Sequence, residues 1–504
     1  MKVSSLSIKM LCFSALILSN ILSSFSLPVS TTDYAVQIYP TTTFGTWSGW
    51  GTSLCWWATV LGESTQAADL LWLPNSTVTI NGLSIPTLGL SIARYNVGGS
   101  NNHTVNGSSI VLSPNYPWWK QLEGYWLDGA NVDPTSPSWD WNADAMQRSS
   151  LQLAIQRGIT SVELFSNSPM WYMLYNHNPS GSNDGSSDNL RPDSYEAHAA
   201  YMATVAAYAV ANWNVPLPIT VEPFNEPIAT WWKSTGTQEG CHFEHSTQQS
   251  VVIALANELK ARNLTPQQVL ISASDESYTD MAVSTWEALN STAKAVIDQV
   301  NVHGYEGTTG DRNGLYQQAV VQNKKILRMS EHGDGDASGE TMVLNLLLDL
   351  QQLHPTSWVY WQAFDVDSYW TLVNNNIPNN DQLGSPSPKY YTLAQFSRHI
   401  RPGMTMIDVS SPGNTTVASY NSVTHTLVLV TVNGGYNQIN VNYNLNNFAN
   451  VPTMKQGKRW VTIMSMVGDK YALYQDVIID GKSKTATASI PANSVVTVEI
   501  MNIY

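Results

Sequence analysis

A strand-and-helix rhythm that repeats eight times constrains the fold of this chain more than any other feature. Apolar, β-prone segments recur, and amphipathic helical stretches lie between most of them. The segments are Thr43–Trp50, Leu88–Val97, Thr160–Ser166, Ile219–Asn225, Gln268–Ala273, Gln299–His303, Ile326–Glu331 and Ser357–Gln362. The helical stretches include Trp141–Arg157, Ser194–Asn212, Thr247–Arg262 and Gly339–Leu353. Eight such units predict an α/β fold, a (β/α)₈ TIM barrel over residues 44–400. A doubly wound sheet is the alternative, but no Gly-rich phosphate turn follows the first strand.

The pattern changes after Arg401-Pro402-Gly403. Short alternating strands follow, separated by Gly, Asn and Pro turns, and they include Thr426–Val432, Gln438–Asn442 and Ser494–Met501. This pattern predicts a C-terminal β-sandwich over residues 401–504. The segment Asp33–Pro40 is also strand-like. Residues 27–43 are therefore expected to form an N-terminal strand that joins the sandwich.

The N-terminus is typical of a secretory signal. Lys2 and Lys9 precede the apolar stretch Met10–Leu22, and the small residues Ser24 and Ser26 suit a cleavage site. Residues 1–26 are predicted to be a signal peptide, and the protein is expected to be secreted, to the extracellular space or the cell wall. An uncleaved anchor is the alternative, although the apolar run is short for a spanning helix.

A secreted protein can carry N-linked glycans and can form disulfides, so its glycosylation triplets and cysteines are considered together. Six Asn-x-Ser/Thr sequences occur, at Asn75, Asn102, Asn106, Asn263, Asn290 and Asn414, and part of this set is expected to carry glycans. Cys12 leaves with the signal peptide. Cys55 and Cys241 remain, and they form either one disulfide or two free buried thiols.

The amino-acid composition argues against two classes of binding partner. Charged residues make up only 12% of the chain, the net charge is −14 and no basic run occurs. Nucleic acid and anionic membranes are therefore not expected as partners. The chain holds 19 Trp and 23 Tyr. These rings either fill the core or stack on sugars, whose C–H faces are apolar.

Two glutamates end two of the predicted strands. Glu226 follows the fourth strand in Val221-Glu222-Pro223-Phe224-Asn225-Glu226-Pro227, and Glu331 ends the seventh in Ser330-Glu331-His332-Gly333. Active sites of such barrels lie at the carboxyl ends of the strands, so the two carboxylates are expected to meet there. A carboxylate pair is what hydrolysis of a glycosidic bond requires. Glu222 is expected to lie deeper, as a structural carboxylate held by Arg94.

Several motifs, in order, carry a resemblance to a known family. They are Phe44-Gly45-Thr46-Trp47-Ser48-Gly49-Trp50-Gly51-Thr52-Ser53-Leu54-Cys55-Trp56-Trp57-Ala58, Arg94-Tyr95-Asn96-Val97-Gly98-Gly99, Ser166-Asn167-Ser168-Pro169-Met170-Trp171-Tyr172-Met173, Asn225-Glu226-Pro227, His303-Gly304-Tyr305, Ser330-Glu331-His332-Gly333, Trp358-Val359-Tyr360-Trp361-Gln362 and Phe396-Ser397-Arg398-His399-Ile400-Arg401-Pro402-Gly403. The chain resembles glycoside hydrolase family 30 over nearly its whole mature length. The stretch from Trp50 to Ala58 is most similar to the endo-β-1,6-galactanase branch. Met170-Trp171-Tyr172 departs from the family pattern, which affects the sugar subsites.

The resemblance implies a retaining mechanism, with Glu331 as nucleophile and Glu226 as acid/base. The remaining expectations concern substrate contacts. Asn225 is expected to bind the sugar 2-hydroxyl, Arg94 or Tyr305 to hydrogen-bond Glu331, and His303 to contact substrate or orient a carboxylate. Trp361 is expected to form the floor of the sugar site and Trp56 a wall. No cofactor is expected, and Asp334 and Asp336 are interpreted as a solvated turn, so no metal site is predicted.

These observations predict a secreted retaining glycoside hydrolase that cleaves β-linked galactan. The β-1,6-galactosyl chains of arabinogalactan proteoglycans are the substrate that the resemblance implies. One alternative keeps the mechanism and changes the substrate to β-glucan, glucosylceramide or xylan. Another is a non-catalytic carbohydrate-binding protein. The expected partner is a polysaccharide or proteoglycan glycan, and the chain is expected to act as a monomer.

Overall fold

The computed structural model describes residues 33–366, 369–379 and 382–504. The predicted signal peptide lies outside these residues. Within them the chain forms two parts, a (β/α)₈ barrel and a β-domain built from both ends of the described chain. No helix in these ranges is long and apolar enough to cross a membrane.

Eight parallel strands form the barrel and are numbered here β1 to β8. They are Gly49–Ser53, Ile92–Asn96, Ser161–Phe165, Ile219–Glu222, Val269–Ile271, Gln299–His303, Ile326–His332 and Ser357–Gln362. Ladders join them in the order β5-β4-β3-β2-β1-β8-β7-β6. Two isolated parallel bridges, Ser272 to Gln299 and Glu276 to Val302, connect β5 to β6 and complete the circle. The predicted TIM barrel is confirmed, and the carboxyl ends of all eight strands meet on one face.

Helices cover the outside of the barrel. The α-helices are Ala58–Leu61, Thr65–Trp72, Ala145–Gln156, Tyr195–Asn212, His245–Ala261, Thr279–Ala288, Ser291–Val296, Arg312–Tyr316, Glu340–Leu348 and Pro388–Ser397. Short 3₁₀ turns lie at Trp118–Lys120, Trp171–Met173, Pro192–Ser194 and Pro412–Asn414. The predicted helix Gly339–Leu353 is present, but it widens into a π turn over Asp349–Leu353. A second π turn spans Gln317–Gln322.

The first predicted barrel strand, Thr43–Trp50, straddles two different strands. Asp33–Thr46 belongs to the β-domain, and β1 begins only at Gly49. The backbone changes partner between them, since Trp47 N donates to Met404 O at 2.7 Å and Ser48 N donates to Thr356 O at 2.6 Å. Both segments are apolar and β-prone, so sequence alone merged them into one strand.

The β-domain is a ring of nine strands, in the order Asp33–Thr46, Thr405–Ser410, Thr416–Asn421, Thr426–Asn433, Ser494–Met501, Met454–Ile463, Ala472–Asp480, Thr485–Ile490 and Ile439–Asn444. The N-terminal strand closes the ring, because it pairs antiparallel with the second member and parallel with the last. The predicted C-terminal sheet domain is confirmed, with its sheets joined at both edges into one continuous ladder.

The last barrel helix, Pro388–Ser397, fastens the two parts together. The Thr497 hydroxyl of the β-domain donates to the carbonyl of Gln395 at 2.8 Å. His399 Nδ1 lies 2.6 Å from Glu499 Oε1. Of the two open alternatives for the cysteines, the structure shows free thiols: Cys55 and Cys241 are both buried and unbonded to another cysteine in the described part of the chain.

Candidate active site

Glu226 lies four residues beyond the end of β4, on a sharply turned backbone. Its φ is 49°, in the left-handed region that non-glycine residues adopt only when their surroundings impose it. Two backbone contacts do so: Glu226 N donates to Asp275 O at 2.9 Å, and the Trp232 indole donates to Glu226 O at 3.0 Å. The strand β4 ends at Glu222, whereas the predicted strand ran to Asn225, so Glu226 lies on a turn beyond the strand.

Glu226 and Glu331 come together at the centre of the carboxyl face. One oxygen of each carboxylate and one ring nitrogen of His303 all lie within 4.8 Å of one another. Glu226 is 7% exposed and Glu331 is 4% exposed. His303 Nδ1 lies 3.2 Å from Glu226 Oε1 and 3.5 Å from Glu331 Oε1, so the imidazole bridges the pair. The two carboxylates therefore face the same small region of the carboxyl face.

Arg94, on β2, organises the acidic groups beneath the site. Its guanidinium donates to Glu331, to Asn225 Oδ1 at 2.8 Å, to Asp275 Oδ2 at 2.5 Å and to Glu163 Oε1 at 3.1 Å. Burial alone would lower the pKa of Arg94, but the carboxylates around it raise the pKa above its usual value. The side chain is therefore a fixed positive charge at the centre of the barrel.

Glu222 does not have the partner that the sequence predicted. It is fully buried, but Arg94 donates to the other carboxylates and makes no described hydrogen bond to Glu222. Burial, with the negative charges of Asp275 and Glu163, raises the pKa of Glu222 well above its usual range. Glu222 therefore lacks the predicted Arg94 partner, and its surroundings favour the neutral form of the carboxyl.

Asp275 is a functional residue that the sequence analysis missed. It follows β5, and its Oδ1 accepts from the Ser330 hydroxyl at 2.5 Å and lies 3.1 Å from His303 Nε2. Burial opposes its charge, but Arg94 and His303 outweigh burial and lower its pKa. The pKa of His303 is raised in turn, because Glu331 and Asp275 outweigh the burial that would lower it. An acidic residue just past the fifth strand was the sequence signal for this partner.

Three donors surround the carboxylate of Glu331. The Tyr305 hydroxyl donates to Oε1 at 2.7 Å, Arg94 donates to Oε2, and the His303 ring lies beside Oε1. Burial raises the pKa of Glu331, and the positive charges of His303 and Arg94 limit that rise. These donors fix the orientation of the carboxylate and favour its ionised form against the effect of burial.

Asn225 contacts both Arg94, beneath the site, and the cleft above the two carboxylates. Its amide oxygen accepts from Arg94 at 2.8 Å, which fixes the rotamer. Asn225 also lines the cleft above the carboxylates. With the oxygen engaged, the amide NH₂ group is the part available to a hydroxyl in the cleft.

The cleft above the pair has a volume of about 660 Å³ and is rich in aromatic rings. Its lining residues are Asn225, Glu226, Trp231, Trp232, Gly236, Thr237, Gln238, Tyr278, Tyr305, Glu331, Trp361 and Trp370. Trp361 lies in it as predicted. Trp56, predicted as a wall, is only 1% exposed and packs edge-on against Trp361 with ring centroids 5.9 Å apart, so it supports that ring from behind.

A buried lysine fixes the rim on the Glu331 side. Lys389 Nζ donates to Asp334 Oδ1 at 2.7 Å and to the Tyr360 hydroxyl at 3.0 Å. The Tyr360 hydroxyl in turn donates to the carbonyl of Trp370 at 3.0 Å. Asp334 is thus an ion-pair partner, and these contacts hold the Trp370 ring over the cleft.

Comparison with known proteins agrees with this geometry. Residues 33–303 match the family model for O-glycosyl hydrolase family 30. An endo-β-1,6-galactanase of Hypocrea rufa is 43% identical over 464 residues, covering 91% of this chain and 93% of that protein. An exo-β-1,6-galactobiohydrolase of Bifidobacterium longum subsp. longum is 23% identical, over 90% of this chain and 39% of its own length.

A solved structure shares the fold. The catalytic domain of xylanase C from Talaromyces cellulolyticus superposes with a TM-score of 0.65 at 19% identity, covering 92% of this chain and 99% of that domain. The family match and the 43% identity over nearly the whole of both chains establish the relationship. The chain therefore belongs to O-glycosyl hydrolase family 30, and it is an O-glycosyl hydrolase.

Proposed function

We propose that the protein is a secreted, retaining glycoside hydrolase that cleaves β-1,6-galactosyl chains of arabinogalactan. The choice of sugar and linkage is supported by the endo-β-1,6-galactanase that is 43% identical across nearly the full length. A second relative also acts, by its name, on a β-1,6-galactosyl substrate.

The observation that carries the mechanism is the spacing of the two carboxylates. Oxygens of Glu226 and Glu331 lie within 4.8 Å of each other. Retaining enzymes hold their carboxyl groups about 5–5.5 Å apart, whereas inverting enzymes need about 6.5–9.5 Å to admit a water. A separation this short supports a covalent route over direct displacement by water.

In the first step Glu331 attacks the anomeric carbon. The bond from that carbon to the glycosidic oxygen breaks, an ester bond to Glu331 forms, and Glu226 gives its proton to the leaving oxygen. Arg94 and Tyr305 hold the attacking carboxylate in place. The NH₂ group of Asn225 binds the 2-hydroxyl of the sugar, a contact that strengthens in the transition state.

In the second step water breaks the ester. Glu226, now a carboxylate, removes a proton from the water, whose oxygen bonds to the anomeric carbon as Glu331 leaves. The charge on Glu331 is absent in the ester and returns at the end of this step. His303, which contacts both carboxylates, stays beside them throughout and offsets the negative charge on whichever one is ionised.

Secretion is part of the same proposal. The signal-like residues 1–26 support it, and all six glycosylation triplets place their Asn at exposed positions that a glycan could occupy. The enzyme is proposed to act as a monomer on a cell-wall or extracellular proteoglycan glycan.

Product analysis on four polymers tests the function. Purified protein is incubated with β-1,6-galactan, β-1,3-galactan, β-1,6-glucan and xylan, with the Glu331→Ala variant as the control for contaminating activity. Release of β-1,6-galactooligosaccharides whose new reducing ends are first β-configured by NMR is expected. Preferred cleavage of xylan or glucan would overturn the substrate, and α-configured products would overturn the retaining mechanism.

A further inference from the structure

Trp231 lies where its indole touches the proposed acid/base directly. Its Nε1 donates to Glu226 Oε2 at 3.1 Å. The other oxygen, Oε1, faces His303 and, beyond it, Glu331. The two oxygens of Glu226 therefore have different neighbours. Oε1 lies on the side of the proposed nucleophile, and Oε2 contacts Trp231.

The same indole presents a ring to the cleft. Trp231 is 41% exposed and lines the cleft, with the half-buried Tyr278 ring 6.1 Å away. Tyr305 contacts Glu331 in this cleft, so the proposed mechanism puts the sugar that Glu331 attacks on the Tyr305 side. The leaving sugar lies across Glu226 from it, because Glu226 protonates the oxygen that joins them. Trp231 and Tyr278 are thus on the leaving-sugar side.

The neighbouring Trp232 makes this placement rigid. Its indole is 6% exposed and donates to the carbonyl of Glu226 at 3.0 Å. A Cβ on Gly240 would come within 2.0 Å of the Trp232 ring, so glycine is required for the ring to pack there. One tryptophan fixes the backbone of Glu226, and the next contacts its carboxylate.

We propose that Trp231 is a dual-purpose residue: it positions the carboxyl group of Glu226 through its indole N–H and stacks on the leaving sugar through its ring. The inference rests on the proposed function, since it assigns Glu226 as the acid/base. It adds a residue that couples occupation of the leaving-sugar subsite to orientation of the proton donor.

The indole N–H group of Trp231 stabilises the charged form of Glu226 more than the neutral form. An indole N–H donates to a carboxylate more strongly than to a neutral carboxylic acid. It therefore favours Glu226 after the proton has moved to the leaving oxygen, which assists bond cleavage. Aromatic stacking on the apolar face of the leaving sugar holds the glycosidic oxygen within reach of that proton.

Other titratable groups also face Glu226. They are His303 on β6, Glu331 on β7, Tyr305, and the buried Glu276 beyond β5. All of them remain in a Trp231 variant, so a change in pH dependence there reports the loss of the indole contact.

The test separates the two roles with two variants. Trp231→Phe keeps a ring and removes the N–H donor, whereas Trp231→Ala removes both. Trp118→Ala is the matched control, because Trp118 is 63% exposed and lies outside the catalytic cleft. Each variant is assayed for kcat/KM across pH on a β-1,6-galactooligosaccharide and on a β-galactobiosyl fluoride, which has no leaving sugar. Thermal melting checks that each variant is folded.

For Trp231→Phe we expect kcat/KM on the oligosaccharide to fall about 3–10-fold, the size of one hydrogen bond. The basic limb of its pH profile should move to higher pH, because the ionised form of the acid has lost a donor. For Trp231→Ala we expect a loss of about 30–100-fold on the oligosaccharide but less than about 3-fold on the fluoride. Trp118→Ala should match the wild type.

An unmoved basic limb in Trp231→Phe would overturn the positioning role. Equal losses on both substrates in Trp231→Ala would overturn the leaving-sugar role. The proposed function is tested separately by the wild type: if it cleaves another β-glycan in preference to β-1,6-galactan, the substrate assignment fails. The variant-to-wild-type ratios are then measured on oligosaccharides of the cleaved glycan.

Discussion

The centre of the barrel beneath the active site and the interior of the β-domain are built from different kinds of side chain. Beneath the active site the barrel buries Arg94, Glu163, Glu222, Asp275 and His303, each 3% exposed or less. The β-domain buries an apolar cluster that includes Val36, Ile38, Leu427, Leu429, Val441, Val461, Val496 and Val498. Burying apolar surface stabilises a fold, whereas burying charge costs free energy unless every group is matched. The contrast indicates that the barrel interior serves the chemistry and that the β-domain interior serves stability.

The largest expected effect is a loss of turnover, without a matching loss of stability, when Glu331 is replaced. Glu331→Ala should lower kcat on β-1,6-galactan by about 10⁴-fold or more, because the covalent step is lost. The melting temperature should change little, because Arg94 keeps Glu163 and Asp275 as partners and Glu226 loses a negative neighbour. Steady-state kinetics and calorimetry measure the two quantities, with the exposed Glu63→Ala as control. Wild-type turnover would contradict the assignment of the nucleophile.

Arg94→Ala should damage both chemistry and stability. The substitution leaves Glu163, Asp275 and Glu331 without their shared positive partner. Removing one member of a buried charge network costs about 3–5 kcal/mol, and the unheld nucleophile should lower kcat as well. Urea unfolding gives the free energy. In the control Arg157→Ala, a partly exposed pair with Asp69 is lost, and a change within about 1 kcal/mol is expected.

A β-domain substitution should show the reverse pattern. Leu429→Ala removes a fully buried side chain from the apolar cluster and should lower the free energy of unfolding by about 2–5 kcal/mol. At temperatures where the variant is folded, kcat and KM should equal those of the wild type. Val423→Ala, at an 87% exposed position of the same domain, is the control and should change stability by less than about 0.5 kcal/mol. A large fall in kcat for folded Leu429→Ala would show that the two interiors are not independent.

The smallest expected effect is pH-dependent. Glu222 has a pKa raised by burial and by its acidic neighbours, so the folded state binds this proton more tightly than the unfolded state does. Its contribution to stability is present below the unfolded pKa, about 4.3, and is lost as pH rises toward the folded pKa. Glu222→Gln does not titrate. In urea unfolding it should match the wild type near pH 4 and be the more stable of the two near pH 8. A variant that is less stable than the wild type at pH 8 would show that Glu222 is charged and matched in the fold.

The sequence predicted the barrel, and the meeting of Glu226 and Glu331 at its carboxyl face, for an identifiable reason. Barrel strands repeat with a fixed order, and their carboxyl ends converge, so Glu226 and Glu331 could be brought together without any knowledge of side-chain packing. The location of β1 was wrong because two apolar strands of different domains adjoin within a few residues.

The predicted contacts of Arg94 and Tyr305 with Glu331 are present, but other side-chain contacts were beyond the reach of the sequence. Arg94 was identified, but the choice among Glu163, Glu222 and Asp275 as its partners depends on which side chains reach one point inside the barrel. Trp231 was missed for the same reason: it stands in a loop, and only the turn at Glu226 brings its N–H group to the carboxylate.

The ring of the β-domain is closed by the strand Asp33–Thr46, which pairs with strands that lie almost four hundred residues later in the chain. During synthesis this strand leaves the ribosome before the barrel. It cannot pair until the whole barrel and residues 405–444 have been made. The domain cannot be completed earlier, and no single cut separates it from the barrel. Completion of the ring therefore ties the first described strand to residues 405–410 and 439–444, on the far side of the barrel in sequence. Excising the barrel for expression would require trimming at both ends of the chain.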